Sequence, residues 1–175
     1  MLKIEPYDVA WPEMFEAEAV LLRAALGASA VRIEHVGSTA VTGLAAKPVI
    51  DIQVSVPSLD QLAQYVEALD GLRYTHVSLG AFDQVYPFFA KPAVWPSTHH
   101  VHLCVVGGEQ EAKHLAFRDY LRREPAVAAD YVKLKSSLAA IHRGHTLESR
   151  ERYSLAKTEF VQRVLERAAS EFCAL

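Results

Sequence analysis

The sequence lacks the features that mark secreted, membrane-spanning and nucleic-acid-binding proteins. Its two cysteines, Cys104 and Cys173, stand far apart with no CxxC pair, which argues against a disulfide framework and a thiolate zinc site. No long uninterrupted apolar run occurs, and residues 1–15 contain acids and prolines where a signal peptide needs an apolar stretch. We therefore expect a cytoplasmic protein that does not enter a membrane.

A basic excess is also missing. The chain has 18 Lys and Arg against 21 Asp and Glu, for a net charge of -3, whereas binding to a phosphate backbone needs clustered positive charge. Nucleic acid is thus not expected as a partner. The charge is uneven, however: residues 1–108 hold six basic and eleven acidic residues, and residues 109–175 hold twelve and ten.

What remains is an ordinary globular composition. The 175 residues are 51% hydrophobic and 22% charged, which predicts one compact domain over residues 1–175. Patterns of strands and helices fill residues 1–108, and helical patterns alone fill residues 109–175. We therefore predict the α+β class, with a sheet portion followed by a helical portion.

Two segments have the alternation of a strand with one apolar and one polar face. Residues 49–56 place Asp51 and Gln53 on the polar face, and residues 100–106 place His100 and His102 there. If these strands are neighbours, Asp51 and the two histidines line one hollow. The alternative is a pair of hydrogen-bonded histidines beneath a loop.

Gly37 and Ser38 follow a β-rich segment at residues 31–36. A glycine lets the backbone approach a ligand, a serine hydroxyl can cap the next turn, and free amide groups at such a turn attract phosphate. Lys47 stands shortly before Asp51, in the extended conformation that Pro48 imposes. A plain turn at Gly37 and a plain strand-end residue at Asp51 are the alternative.

Helices are predicted over residues 11–26, 109–123 and 126–141, with a further helix capped at Thr146 or Ser149. His114, Arg118 and Arg122 stand four apart, so they share one flank of their helix. Such a flank is either an anion-binding surface or a solvated helix face.

Five blocks of the sequence resemble the GrpB family of small bacterial proteins, in the same order and over nearly the whole chain: EHVGSTAVTGLAAKPVIDIQV, THHVHL, HLAFRDYLRREP, DYVKLK and YSLAKTEFVQRVL. This resemblance implies a nucleotidyltransferase-like fold, a small mixed sheet packed with helices. Some members of the family are fused behind dephospho-coenzyme A kinases, which suggests a kinase as a partner.

In the nucleotidyltransferase-like superfamily, a Gly-Ser turn precedes a strand with Asp-x-Asp, and a neighbouring strand supplies a third acid. Gly37 and Ser38 match the turn and Asp51 matches the first acid, but Gln53 stands at the second, and the neighbouring strand offers His100 and His102. Several carboxylates are needed to hold two dications about 4 Å apart. We therefore expect a single divalent metal, Mn, Mg or Zn, on Asp51, His100 and His102, with imidazole favouring the softer ions.

The resemblance also implies the remaining site residues. Asp51, Ser38 and Lys47 are the expected catalytic group. A phosphorylated or otherwise anionic small molecule would be bound by a larger set: Gly37, Ser38, Thr39, Lys47, Arg118, Lys135 and Lys157. Tyr131 and Tyr153 are interpreted as packing residues.

Three functions fit these residues. The first is a metal-dependent, nucleotidyltransferase-like enzyme acting on a nucleotide or another phosphorylated small molecule. The second is a non-catalytic ligand-binding or accessory module, a folding or regulatory partner of a kinase, which Gln53 favours because an amide cannot replace a carboxylate charge. The third is metal-dependent hydrolysis at a histidine-rich site.

Overall fold

The computed structural model describes residues 3–94, 96–141 and 146–172; Cys173 lies outside them. The elements in chain order are α1 (Trp11–Leu26), β1 (Arg32–Val36), β2 (Ile50–Val56), α2 (Leu62–Asp70), β3 (Thr75–His76), β4 (Phe88–Lys91), β5 (His99–Val105), α3 (Glu109–Arg123), α4 (Pro125–Ile141), α5 (Leu147–Leu155) and α6 (Thr158–Phe172). The α+β class is confirmed.

The five strands form one mixed sheet in the order β1-β2-β5-β4-β3. β2 and β5 are parallel neighbours, and every other pair is antiparallel. The register places Asp51 beside His100 and Gln53 beside His102. The prediction that these two strands are adjacent is therefore confirmed.

One face of the sheet is apolar and packs against α1 and α2. Ile52 and Val54 of β2, with Val101 and Leu103 of β5, are fully buried in this core together with Leu22 of α1. Burying such side chains contributes roughly 1.5–3 kcal/mol each. This face therefore fixes the register that sends Asp51 and its polar neighbours to the other side.

The polar face lies against α3, and successive turns of that helix bond to it. The Glu111 carboxylate accepts from the Ser55 hydroxyl, the His114 ring donates to the Gln53 amide oxygen, and the Arg118 guanidinium pairs with Glu34. The helical portion thus covers polar groups that would otherwise be buried without partners.

The element boundaries mostly follow the sequence pattern. The predicted helices over 11–26 and 109–123 match α1 and α3. Thr146 caps α5 by accepting from the Ser149 amide, but the helix it begins ends at Leu155 and α6 starts afresh at Thr158. None of the helices in the described ranges combines the length and apolar character needed to cross a bilayer.

Candidate functional site

The centre of the candidate site is Asp51, at the start of β2. Its carboxylate accepts a hydrogen bond from the Nδ1 of His100 on β5, over 3.1 Å. Burial alone would raise the pKa of Asp51, but the His100 hydrogen bond, with favourable electrostatic interactions from His100, His102 and Lys47, holds that pKa well below its usual value. Asp51 is therefore a carboxylate at any physiological pH.

Gly37 stands directly against this carboxylate. It follows Val36, the register partner of Asp51 on β1, and its φ of 71° lies in the left-handed region. A Cβ at this position would meet the Asp51 Oδ2 at 2.5 Å. The room that the missing side chain provides is therefore taken by Asp51, rather than left for a ligand as the sequence suggested.

Three lysine amines gather on the helical side of Asp51. Lys47, from the loop before β2, and Lys157, from the break between α5 and α6, both lie on the ring of Tyr153, with their Nζ atoms 5.0 and 4.6 Å from its centroid. Tyr153 is fully buried. Its ring thus holds two ammonium groups in place through cation–π contact.

The third amine is that of Lys135 on α4. Its Nζ donates to the Ala45 carbonyl over 2.7 Å and lies 4.8 Å from the centroid of the Tyr131 ring. Lys135 is only 2% exposed. A lysine this deeply buried is held by specific contacts rather than by solvent.

The lysines depress one another's basicity. Burial, followed by the charges of Lys157 and Lys47, lowers the pKa of Lys135 to about 7. Burial and the charge of Lys47 lower the pKa of Lys157 to about 8. Asp51 acts in the opposite direction on both groups, but its single charge does not offset the others. The cluster therefore favours a further negative charge.

His102 lies beyond Asp51 within a stack of rings. Its imidazole stacks on Tyr86 at 4.6 Å and on Phe88 at 4.9 Å between centroids, and Tyr86 stacks on His114 at 4.5 Å. Burial above all, together with the charges of His114 and His100, lowers the pKa of His102 to about 3, against the opposing effect of Asp51. His102 is therefore neutral at physiological pH.

Two buried polar atoms next to this stack have no hydrogen-bond partner among the described residues: the His102 Nδ1 and the Gln53 Nε2. These two residues are register partners on β5 and β2. The Gln53 carboxamide oxygen is already engaged by the His114 ring over 3.0 Å. Gln53 is thus tied to the stack by hydrogen bonding and has no charge to offer a cation.

The predicted metal ligands do not form a coordination group in this arrangement. Across residues 3–94, 96–141 and 146–172, no set of three or more His, Cys, Asp and Glu side chains is placed to hold a metal ion. The His100 Nδ1 faces the Asp51 carboxylate as a hydrogen-bond donor, and the ring of His102 is held by stacking. The metal set of Asp51, His100 and His102 stays a prediction, and we derive no step through a metal.

The other predicted phosphate ligands have different surroundings. Ser38 begins a short 3₁₀ turn and lies within hydrogen-bonding reach of the Tyr131 hydroxyl, at the edge of the cluster. Thr39 is buried, and its hydroxyl donates to the Val49 carbonyl while accepting from the His35 ring. Thr39 therefore fixes the turn, and its role toward a ligand stays a prediction.

Arg118 is directed to β1 rather than to the lysines. Its guanidinium donates to the carboxylates of Glu34 and Asp119 and to the His35 carbonyl. Arg122, on the same flank, donates to the Ala40 carbonyl. The flank shared by Arg118 and Arg122 faces the sheet, and both guanidinium groups donate hydrogen bonds within the chain.

Tyr131 and Tyr153, predicted to be packing residues, also contact the lysines. The signal was present, because Tyr131 precedes Lys135, and Tyr153 precedes Lys157, by four positions. Side chains four apart meet on a helix. On α4 this spacing places the Tyr131 ring beneath Lys135. Lys157 lies in the turn that follows α5, so its contact with Tyr153 depends on the break between α5 and α6.

Comparisons with known proteins agree on one family. The family model described as GrpB protein matches residues 1–167. A UPF0157 protein of Pseudomonas aeruginosa is 40% identical over 95% of this chain and 67% of its own length. The crystal structure of the conserved protein GrpB from Enterococcus faecalis superposes with a TM-score of 0.83 at 33% identity, over 97% of this chain and 99% of that one.

The family also occurs within longer proteins. A protein of Mycolicibacterium paratuberculosis named dephospho-CoA kinase is 32% identical over 78% of this chain. The match covers 39% of the length of that protein. Part of that longer protein is thus similar to this chain.

Proposed function

The chain belongs to the GrpB family, and we propose that it binds a nucleotide or another phosphorylated small molecule. The proposed binding site is the lysine cluster formed by Lys47, Lys135 and Lys157. The single observation that carries this proposal is the gathering of buried amines: Lys47 and Lys157 share the Tyr153 ring, and their charges lower the pKa of the neighbouring Lys135. Like charges brought together without a ligand are unfavourable. A phosphate group would supply the missing negative charge.

The geometry suits phosphate for a second reason. The amines come from three separate segments, a loop and two helical regions, and each is braced by an aromatic ring or a carbonyl. Lysine ammonium groups bind phosphate as point charges, and amines approaching from several directions can surround a tetrahedral group. Ser38, next to the Tyr131 hydroxyl, adds a neutral donor at the rim.

Binding is proposed ahead of transfer because of Gln53. A two-metal transfer reaction needs several carboxylates. Asp51 supplies one, but the second acidic position of the superfamily pattern holds Gln53, whose amide oxygen accepts from the His114 ring. Nucleotidyl transfer is the second candidate function, supported by the match of Gly37, Ser38 and Asp51 to the superfamily pattern. The named kinase relative supports instead an accessory role beside a kinase.

Calorimetric titration tests the binding proposal. ATP, ADP and inorganic pyrophosphate would be titrated into the wild type, into Lys157→Met and into the control Lys133→Met, whose lysine lies on exposed α4 surface and pairs with Asp130. We expect the wild type and the control to bind alike and Lys157→Met to lose at least about tenfold in affinity, or about 1.4 kcal/mol. Equal affinity in all three proteins, or no binding to any ligand, would overturn the proposal.

A separate assay decides between binding and chemistry. The wild type would be incubated with nucleoside triphosphates and Mg²⁺ or Mn²⁺ while pyrophosphate and inorganic phosphate are measured. Pyrophosphate release that disappears in Asp51→Asn would establish transfer, and phosphate release without an acceptor would indicate hydrolysis. Tight binding with neither product would favour the accessory role.

A further inference from the structure

The side chain of Lys157 ends in an amine without a polar partner, although its backbone is held firmly. Lys157 lies between α5 and α6, where its amide donates to the Ser154 carbonyl over 3.2 Å and its carbonyl accepts from the Val161 amide over 3.0 Å. Within the part of the chain that the structure describes, its Nζ makes neither a hydrogen bond nor an ion pair and lies against the Tyr153 ring. The amine is thus positioned but not engaged.

The amine of Lys135 differs in this respect. It donates to the Ala45 carbonyl, and Lys135 is only 2% exposed, so it could meet a reactant only by giving up a buried hydrogen bond. Lys157 is partly exposed, and the cluster opens to solvent beside Asp51, whose side chain is 32% exposed. Of these two lysines, Lys157 therefore presents the amine that an incoming molecule can reach.

The surroundings of Lys157 favour the uncharged form of its amine. The charged groups that face it come from three elements: Lys47 from the loop before β2, Asp51 from β2 and Lys135 from α4. Burial and the charge of Lys47 lower the pKa of Lys157 to about 8 against the opposing effect of Asp51, whereas an ordinary lysine has a pKa of about 10.4. Desolvation and a neighbouring cation are the conditions that make a lysine nucleophilic.

A nucleophilic amine in such a place is suited to carbonyl chemistry. The uncharged Nζ attacks the carbonyl carbon and forms a C–N bond, the carbonyl electron pair moves to oxygen, and one nitrogen proton passes to that oxygen. The hydroxyl then leaves with the second nitrogen proton as water, and a C=N bond remains. Amine and aldehyde thus give imine and water with no oxidant or reductant, and added water reverses the step.

The lysine cluster also suits the product of this reaction. A protonated imine carries the same positive charge as the ammonium group it replaces, so Asp51 and a bound phosphate both stabilise it. Lys47 lies on the same Tyr153 ring as Lys157, with its Nζ 5.0 Å from the centroid. One small molecule can therefore place a phosphate group on Lys47 and a carbonyl group at Lys157.

We propose that Lys157 forms a reversible imine with a phosphorylated aldehyde or ketone whose phosphate group is held by Lys47 and Lys135. This inference rests on the proposed function, because it places the phosphate on the same lysine cluster. It adds the chemical class of the remainder of the ligand, which is a carbonyl compound. ATP, which has neither an aldehyde nor a ketone group, would bind without reacting.

Trapping with borohydride tests the reaction. The wild type would be exposed briefly to pyridoxal 5′-phosphate, a phosphorylated aldehyde, and reduced with sodium borohydride, and the modified lysines would be identified by peptide mass spectrometry. The internal control is Lys133, an exposed lysine of α4 that pairs with Asp130. We expect modification of Lys157 to exceed that of Lys133 at least about tenfold, because more of the Lys157 amine is uncharged. Equal modification of the two lysines, or modification chiefly at Lys47, would overturn the proposal.

The phosphate group has its own control. Pyridoxal, which lacks the phosphate, should modify Lys157 at least about tenfold less than pyridoxal 5′-phosphate does, and excess pyrophosphate should protect Lys157 but not Lys133. Equal modification of Lys157 by the two aldehydes would overturn the proposal that a phosphate group directs the reaction.

The pH dependence separates a reactive amine from a merely accessible one. Modification of Lys157 should level off above about pH 8, whereas an ordinary lysine becomes more reactive up to about pH 10. Identical pH profiles at Lys157 and Lys133 would overturn the inference.

Calorimetry with pyrophosphate on the same wild-type sample distinguishes this inference from the proposed function. Pyrophosphate binding without a preferred adduct at Lys157 would overturn the imine alone, and absence of pyrophosphate binding would overturn both.

Discussion

The Asp51 carboxylate and the His100 Nδ1 lie 3.1 Å apart across β2 and β5, the parallel strands at the centre of the sheet. Because Asp51 is ionised, the ring nitrogen facing it carries the proton and donates, which fixes the His100 tautomer. The same carboxylate faces Gly37 on its other oxygen and the lysine cluster from the helical side. Asp51 is thus the point at which the turn, the sheet and the helical half meet.

Replacing Gly37 tests the contact with Asp51. In Gly37→Ala the new Cβ would meet the Asp51 Oδ2 at 2.5 Å, and the backbone has a φ of 71°. Gly43 has a φ of 79° with open space around it, so Gly43→Ala is a control for backbone strain alone. By urea unfolding we expect a loss of about 1 kcal/mol for Gly43→Ala and about 3 kcal/mol or more for Gly37→Ala. Equal losses would mean that Asp51 does not occupy the space at Gly37.

The ring of Tyr153 should matter more than its hydroxyl. That hydroxyl is buried and has no hydrogen-bond partner among the described residues, so Tyr153→Phe removes an unsatisfied polar group while keeping the ring. We expect Tyr153→Phe to be neutral or up to about 1 kcal/mol more stable, with unchanged anion binding. Tyr153→Leu, which removes the support of Lys47 and Lys157, should weaken phosphate binding several-fold by fluorescence or calorimetric titration. If both variants bind as the wild type does, the ring does not position the lysines.

The buried amine of Lys135 makes stability depend on pH in the alkaline range. Its pKa is about 7 in the folded protein and about 10.4 in an unfolded chain, so between these values the unfolded state binds more protons. Stability attributable to this group therefore rises with pH. From pH 7 to pH 9 we expect the wild type to gain about 2 kcal/mol relative to Lys135→Met, measured by urea unfolding without phosphate. A constant difference between the two proteins would contradict the burial of this amine.

His35 makes stability depend on pH in the acid range. Burial, with the charges of Arg122 and Arg118, lowers the pKa of His35 to about 4 against the opposing effect of Asp51. Between pH 6.5 and pH 4 the unfolded state binds more protons, so the stability from a neutral His35 is lost as pH falls. Between pH 7 and pH 4 the wild type should lose about 3 kcal/mol more than His35→Gln, whose amide can still donate to the Thr39 hydroxyl. Parallel losses in the two proteins would rule out a neutral buried imidazole here.

The sheet side of the site could be predicted because it depends on local pattern. Alternation along residues 49–56 and 100–106 predicts which side chains share a face, and the apolar face of β2 fixes that choice when it is buried. The pairing of Asp51 with His100 follows once the strands are adjacent. The turn at Gly37 was also visible, although the neighbour that fills its space was not.

The helical side could not be predicted to the same extent, because its residues meet only in the folded chain. Lys47, Lys135 and Lys157 are widely separated in sequence, so no local pattern brings them together, and they entered the predicted binding set only through the resemblance to the GrpB family. Arg118 shows the converse case: its spacing suggested a ligand-binding flank, but Glu34 and the His35 carbonyl on β1 lie within its reach. Tertiary contacts therefore decide which cations lie together near Asp51.

The most direct test of the account is the proton balance of phosphate binding. Pyrophosphate would be titrated calorimetrically into the wild type at pH 7.5 in two buffers of different ionisation enthalpy. Because the pKa values of Lys135 and Lys157 are about 7 and about 8 without a ligand, binding of an anion should draw roughly one proton from solution, and the affinity should fall as pH rises through this range. Binding without proton uptake, or no binding at all, would contradict the claim that the lysine cluster is an anion site.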